Sequence, residues 1–125
     1  MENLVSRPPR DANEFIEQQL DERARALEDF FKSDFLAFAG PLVEGVDNAV
    51  RDIIEEKREQ SRDQTKLTMV VTTFGGYIEV VQRIVETVRH HYDHVKFVVP
   101  NYAYSAGTVL VMSGDEIYMD LPVII

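Results

Sequence analysis

Three times along this chain an apolar run rich in β-branched or aromatic residues stops abruptly at a Gly or Pro, and each time a stretch with helical apolar spacing follows. The runs are FLAFAG (35–40) before Pro41, KLTMVVTTF (66–74) before Gly75-Gly76, and VKFVVP (95–100). Runs this short and this sharply ended suit buried strands better than helices. After the first, Val43, Val46, Val50, Ile53 and Ile54 repeat at helical spacing until the charged stretch EEKREQSRDQ; after the second, Tyr77, Val81, Ile84, Val85, Val88 and Tyr92 share one face. SAGTVLVMSG reads as a third, shorter helix and EIYM as a last strand. Strand and helix in alternation predict an α/β domain: a largely parallel sheet covered by helices.

Upstream of this pattern, Asp11 to Lys32 carries Ile16, Leu20, Leu27 and Phe31 at helical spacing, with Asp11 and Glu14 suited to an N-terminal capping pair and RPP as a break before them. The expectation is an amphipathic helix with an acidic, solvated outer face, packed on its own domain; docking to another subunit is the alternative. A length of 125 residues makes one domain the default. Most of the formal charge of −9 falls in the first 65 residues, which argues against a nucleic-acid partner, because phosphate binding needs a cationic face. With no cysteine, disulfides, thiolate metal sites and a cysteine nucleophile are excluded. The start, MENLVSRPPRDANEF, lacks the apolar core of a secretory signal, and no apolar run approaches the roughly 18 residues of a membrane span. The expected setting is soluble and cytoplasmic.

In parallel α/β sheets, sites collect beyond the carboxyl ends of the strands. Two loops there carry chemistry. TTFGGY puts paired glycines where backbone N–H groups can approach a ligand unobstructed. NYAYSAGT puts Ser105 at a helix start, followed by amides that begin with Ala106. Acyl transfer from a serine needs a hydroxyl, donors for the oxyanion and a base. On residue pattern alone, Ser105 is either a helix cap or a nucleophile, and the glycine pair either a turn or part of a site.

The segments FLAFAGPLVEGVDNAVRDIIEE, LTMVVTTFGGYIEVVQRIVETVRHHY and VKFVVPNYAYSAGTVLVMSGDEIYMD resemble the serine dehydrogenase proteinase family, relatives of signal peptide peptidase A and of the proteolytic subunit of the Clp protease, within the Clp/crotonase fold. The resemblance runs from about Asp34 to Asp120 and rests on GGYIE, YSAGT and MSGDEI together. It implies residues 1–33 as a helical extension and 34–125 as the N-terminal part of a Clp/crotonase-like serine peptidase domain. Ser105 then matches the nucleophile, and the N–H groups of Gly75 or Gly76 and of Ala106 match the oxyanion hole. An extended peptide would lie between the segment after Gly76 and Asn101 to Ala103, with Tyr77, Asn101, Tyr102, Ala103 and Tyr104 on the substrate side. No cofactor and no metal are expected, and the partners implied are a peptide or protein substrate and either copies of the same chain or a complementing one.

One part has no counterpart. A serine hydroxyl is a weak nucleophile until a base accepts its proton, and in the resembled family that base follows the strand matching EIYMD, where this chain reads MDLPVII. The C-terminal half of the fold is therefore expected to be missing. His90, His91 and His94 belong at the far end of the helix that begins beside the glycines, and they lack a good third metal ligand on one face. Lys66 and Lys96 fall at strand starts, and Asp115 and Glu116 at a turn. The expectation is a serine peptidase-like protein, weak or inactive as this chain; a non-catalytic peptide-binding or assembly module of the same fold is the alternative.

Overall fold

The computed structural model describes residues 8–119. The N-terminal stretch examined for a secretory signal lies partly, and the apolar ending Leu121 to Ile125 wholly, outside them. Eight elements follow in order: α1 (Ala12–Phe31), β1 (Asp34–Ala39), α2 (Val46–Gln60), β2 (Lys66–Thr72), α3 (Ile78–His91), β3 (His94–Val99), α4 (Ala106–Met112) and β4 (Glu116–Met119). The four strands form one sheet in the order β1-β2-β3-β4, every pair parallel, as the alternating pattern predicts.

Register explains which residues become the core. Leu36 pairs with Met69 and Met69 with Phe97, so these side chains share one face of the pleat and are buried there. Against them pack Val50 and Ile54 of α2, Val80, Val81, Ile84 and Val88 of α3, and Leu110 and Val111 of α4. α2 packs on α3 and α3 on α4, one row of helices on one face. Ala37, Val70 and Val98, in register on the opposite face, stay partly or wholly exposed. The sheet is thus covered from one side.

The expectation for α1 needs correction. The helix forms where predicted, with Asp11 as N-cap accepting the Glu14 N–H at 2.8 Å, but none of its residues is buried. Phe15, Ile16, Leu20, Leu27 and Phe30 are 36–78% exposed. Amphipathic spacing says that one face is apolar, not what covers it, and the helix-covered face of the sheet is already occupied by α2, α3 and α4. α1 touches the domain mainly at its end, where Lys57 Nζ lies 3.0 Å from Glu28 Oε1 and Lys96 Nζ sits 5.0 Å from the Phe31 ring centre.

Polar groups fasten the start of the sheet. The buried carboxylate of Asp34 accepts from the Tyr92 hydroxyl at 2.6 Å and from Ser61 Oγ at 3.0 Å. Burial, together with this carboxylate, pushes the Tyr92 phenol far above its ordinary value, so it donates at every accessible pH. Tyr92→Phe leaves a buried carboxylate oxygen short of a donor and should cost about 1–3 kcal/mol of stability, read from urea unfolding.

Three carboxyls give the acid response. Hydrogen bonds from Arg83, Arg89 and His94 hold Asp47, Asp115 and Glu116, respectively, below their ordinary values. The folded state therefore binds fewer protons than the unfolded one in acid, so this stabilisation is complete above the ordinary carboxylate range and is lost as pH falls through the lowered values. The urea midpoint should decline between about pH 5 and pH 3, and less steeply in Asp115→Asn.

Candidate active site

β2 does not end at its last ladder residue. Thr73, 1% exposed, carries it on as a single bridge to Ala103: its N–H donates to the Tyr102 carbonyl at 3.2 Å and its carbonyl accepts the Tyr104 N–H at 3.0 Å. The Thr73 hydroxyl oxygen accepts the Gly75 N–H at 3.0 Å. One buried residue thus ties the end of β2, the glycine pair and the segment after β3 together. From the other side Leu42 donates its N–H to the Gly75 carbonyl and accepts from Tyr77 N–H, both at 2.9 Å.

Close approach makes the glycines necessary. A β-carbon at position 75, where φ is +105°, would lie 2.8 Å from Ser105 Cβ and 2.8 Å from the Tyr104 carbonyl oxygen. At position 76 it would fall on the backbone carbonyl of Leu42. The pair is a contact point between three backbone segments, with Gly75 set directly against Ser105.

Ser105 occupies the N-cap position of α4 without acting as a cap: its side chain makes no capping hydrogen bond. Its backbone, at φ 54° and ψ −124°, lies outside both helical regions. The other non-glycine residue with positive φ among those described, Lys32, has an ordinary left-handed C-cap geometry. A conformation such as that of Ser105 costs about 1–3 kcal/mol and persists only where its surroundings impose it. Here the Thr73–Tyr104 bond fixes the residue before it, and α4 begins directly after it, with Thr108 N–H donating to the Ser105 carbonyl at 2.9 Å. Among the described residues the hydroxyl has no hydrogen-bond partner, and the residue is exposed.

The amides divide in the same way. Gly75 N–H is committed to Thr73, whereas Gly76 and Ala106 N–H have no hydrogen-bond partner among the described residues. Because Leu42 pairs with the Gly75 carbonyl and the Tyr77 N–H, the intervening Gly76 N–H points away from Leu42, to the side from which β3 and its loop approach. Over the same loops three rings gather: Phe74 and Tyr102 at 4.6 Å, Tyr102 and Tyr104 at 5.1 Å, and Phe74 and Tyr104 at 6.0 Å between centres.

The histidines stand apart from this cluster. His90 and His91 end α3 and His94 begins β3, while Ser105 follows the opposite end of β3, about 17 Å away along the strand. His94 Nε2 is 2.6 Å from Glu116 Oε2. Burial, with His90 beside it, holds His91 below its ordinary value. Lys66 and Lys96 sit at the same remote end of the strands. Among the described residues, no group of three or more His, Asp or Glu side chains is arranged to hold a metal ion, and no helix is long and apolar enough to cross a membrane.

The sequence profile of the Clp protease family matches residues 27–121, most of the chain and all of the sheet. The chain belongs to the Clp protease family. An uncharacterized protein of Methanocaldococcus jannaschii is 28% identical over 69 residues, which cover 55% of this chain and 24% of that protein. The chain spans about a quarter of that relative's length.

Within this Clp-family domain, the structure brings Ser105, Gly75, Gly76, Ala106, Tyr102 and Tyr104 together. Ala103 is buried beneath them, its carbonyl accepting from Thr108 Oγ1 at 3.1 Å. With the Tyr102 carbonyl and Tyr104 N–H also spent on Thr73, this segment has little backbone left for pairing with a peptide. Asn101 and Tyr77 are exposed beside the cluster. Thr73, Leu42 and Phe74 escaped the sequence reading. Phe74 alone left a signal, since residues 69, 71 and 73 alternate inward and put an aromatic ring outward at 74. Gly75→Ala meets both a collision and a positive φ, and should lose about 1–3 kcal/mol in urea unfolding. Gly45→Ala is the control: φ is +98° there but nothing lies within 4 Å of a β-carbon, so the loss should be smaller.

Proposed function

We propose that this protein is a serine peptidase-like member of the Clp/crotonase fold, of the serine dehydrogenase proteinase type, that cleaves peptide bonds through Ser105. The observation that carries the reading is the strained, exposed Ser105, which stands in the cap position yet caps nothing and has Gly75 packed against it. Strain of this kind holds a hydroxyl clear of its own helix, as an attacking group requires.

In this reading Ser105 Oγ attacks the carbonyl carbon of an extended peptide and gives up its proton to a base. The carbonyl oxygen becomes an oxyanion that accepts from the Gly76 and Ala106 N–H groups; the Gly75 N–H, already committed, serves the scaffold instead. The leaving amine takes the proton, and water then releases the acyl group from Ser105. Oxyanion donors of this kind are worth about 10²- to 10³-fold in rate. The base comes from beyond the described residues of this one chain, with a neighbouring copy or a complementing chain as its source, because the described histidines and lysines belong to the far end of the sheet. Self-association or a complementing chain follows from that need, with peptide or protein as the substrate and the cytoplasm as the setting.

A fluorophosphonate probe should label the protein, and Ser105→Ala should abolish labelling, as read by mass spectrometry of the adduct. Held monomeric by dilution, the 125-residue chain should hydrolyse peptides weakly or not at all; sustained Ser105-dependent turnover by the monomer would refute the external base. A folded sample that resists the probe under all assembly conditions would favour a non-catalytic peptide-binding module.

A further inference from the structure

Each backbone segment that meets at Ser105 also carries a ring. Phe74 immediately precedes Gly75, and Tyr104 immediately precedes Ser105, with Tyr102 two residues earlier. The rings lie nearly parallel: Tyr102 and Tyr104 within 10° of each other, Phe74 tilted 29° and 27° to them. Their separations of 4.6, 5.1 and 6.0 Å describe a triangle rather than a column, so Phe74 lies across both tyrosines.

A core cluster would bury these rings. Phe74 is instead 71% exposed, and Tyr102 and Tyr104 are half-buried. Neither tyrosine hydroxyl has a hydrogen-bond partner among the described residues, so both remain available to a ligand or water. The floor beneath is rigid: Thr73 fixes the backbone of Tyr102 and Tyr104, and Ala103 between them is buried. A large, flat, apolar surface held in place next to an unspent hydroxyl costs little to organise when something binds.

We propose that Phe74, Tyr102 and Tyr104 form an aromatic shelf that receives an aromatic side chain of an extended peptide, beside the bond presented to Ser105. The occupant follows from the shape and chemistry. Near-parallel rings with an open face favour a further flat ring in offset stacking, with centres about 4.5–7 Å apart. Phe74 adjoins Gly75 and Tyr104 adjoins Ser105 along the chain, and a β-carbon at position 75 would meet both Ser105 Cβ and the Tyr104 carbonyl, so the backbone segments that carry the rings meet at the serine. The inference rests on Ser105 being the nucleophile only for the position of the scissile bond.

The test uses the full chain and short N-acetylated peptide amides that differ at one residue: Phe, cyclohexylalanine, Leu, Ala or Arg. Affinity and aromatic proton shifts are followed by NMR, and the same sample is tested with the fluorophosphonate probe. Phe should bind roughly 2- to 10-fold more tightly than cyclohexylalanine, which has similar bulk but no π face, and should shift the signals of Phe74, Tyr102 and Tyr104. Phe74→Ala, at an exposed position where circular dichroism checks folding, should erase that preference, and Phe74→Tyr should keep it. Equal binding of Phe and cyclohexylalanine, tightest binding of Arg, or no saturable ring shift with any peptide would each overturn the shelf. Aromatic preference without probe labelling keeps the shelf and removes the nucleophile; labelling without aromatic preference does the reverse.

Discussion

Thr73 donates and accepts through its backbone to hold Tyr102 and Tyr104, and accepts through its hydroxyl to hold Gly75. Those three bonds come from a residue with 1% exposure, where an unpaired polar group would cost more than a hydrogen bond normally contributes. The loop after β2 and the loop after β3 are therefore not independent. Fixing one fixes the other, and the geometry left for Ser105 is the one that a normal helix start would reject. Strain at the serine is sustained by satisfied groups around it rather than by any contact of its own hydroxyl.

The sheet beneath supplies the rigidity for this arrangement and also its asymmetry. Parallel register sends Leu36, Met69 and Phe97 to the face covered by α2, α3 and α4, where they are buried. The reverse face, with Ala37, Val70 and Val98 in register, is only partly covered, whereas parallel sheets generally bury both faces. α1 adds to the imbalance, since its apolar residues are largely exposed, whereas most helical stability in proteins comes from packing an amphipathic face. Both features suit a domain whose apolar surfaces meet other protein, in keeping with the proposed need for a base from beyond the described residues.

Much of this was legible in the order of residues. Short apolar runs ended by Gly or Pro located β1, β2 and β3, and helical spacing located α1, α2 and α3 with only small displacements: Val43 stands before α2 and Tyr77 before α3. GG and SAG at strand ends singled out the candidate site, because loops after parallel strands gather beyond their carboxyl ends. The covering of α1 was not legible, since periodicity encodes an apolar stripe but no partner. Nor was the role of Thr73, which reads in the sequence as one more β-branched strand residue; its three hydrogen bonds join groups that are remote along the chain.

The sequence by itself determined the α/β alternation, the positions of glycine at two crowded turns, and a serine at the head of a short helix, all of which depend on local spacing and steric demand. Only the tertiary structure decided that Ser105 is not a cap, that Gly75 N–H is committed while Gly76 and Ala106 N–H are not, and that Phe74 joins two tyrosines. These are outcomes of parallel register and of backbones meeting at close range. A hydroxyl's partner and an amide's direction are settled by which distant segment arrives beside it, and no local pattern carries that information.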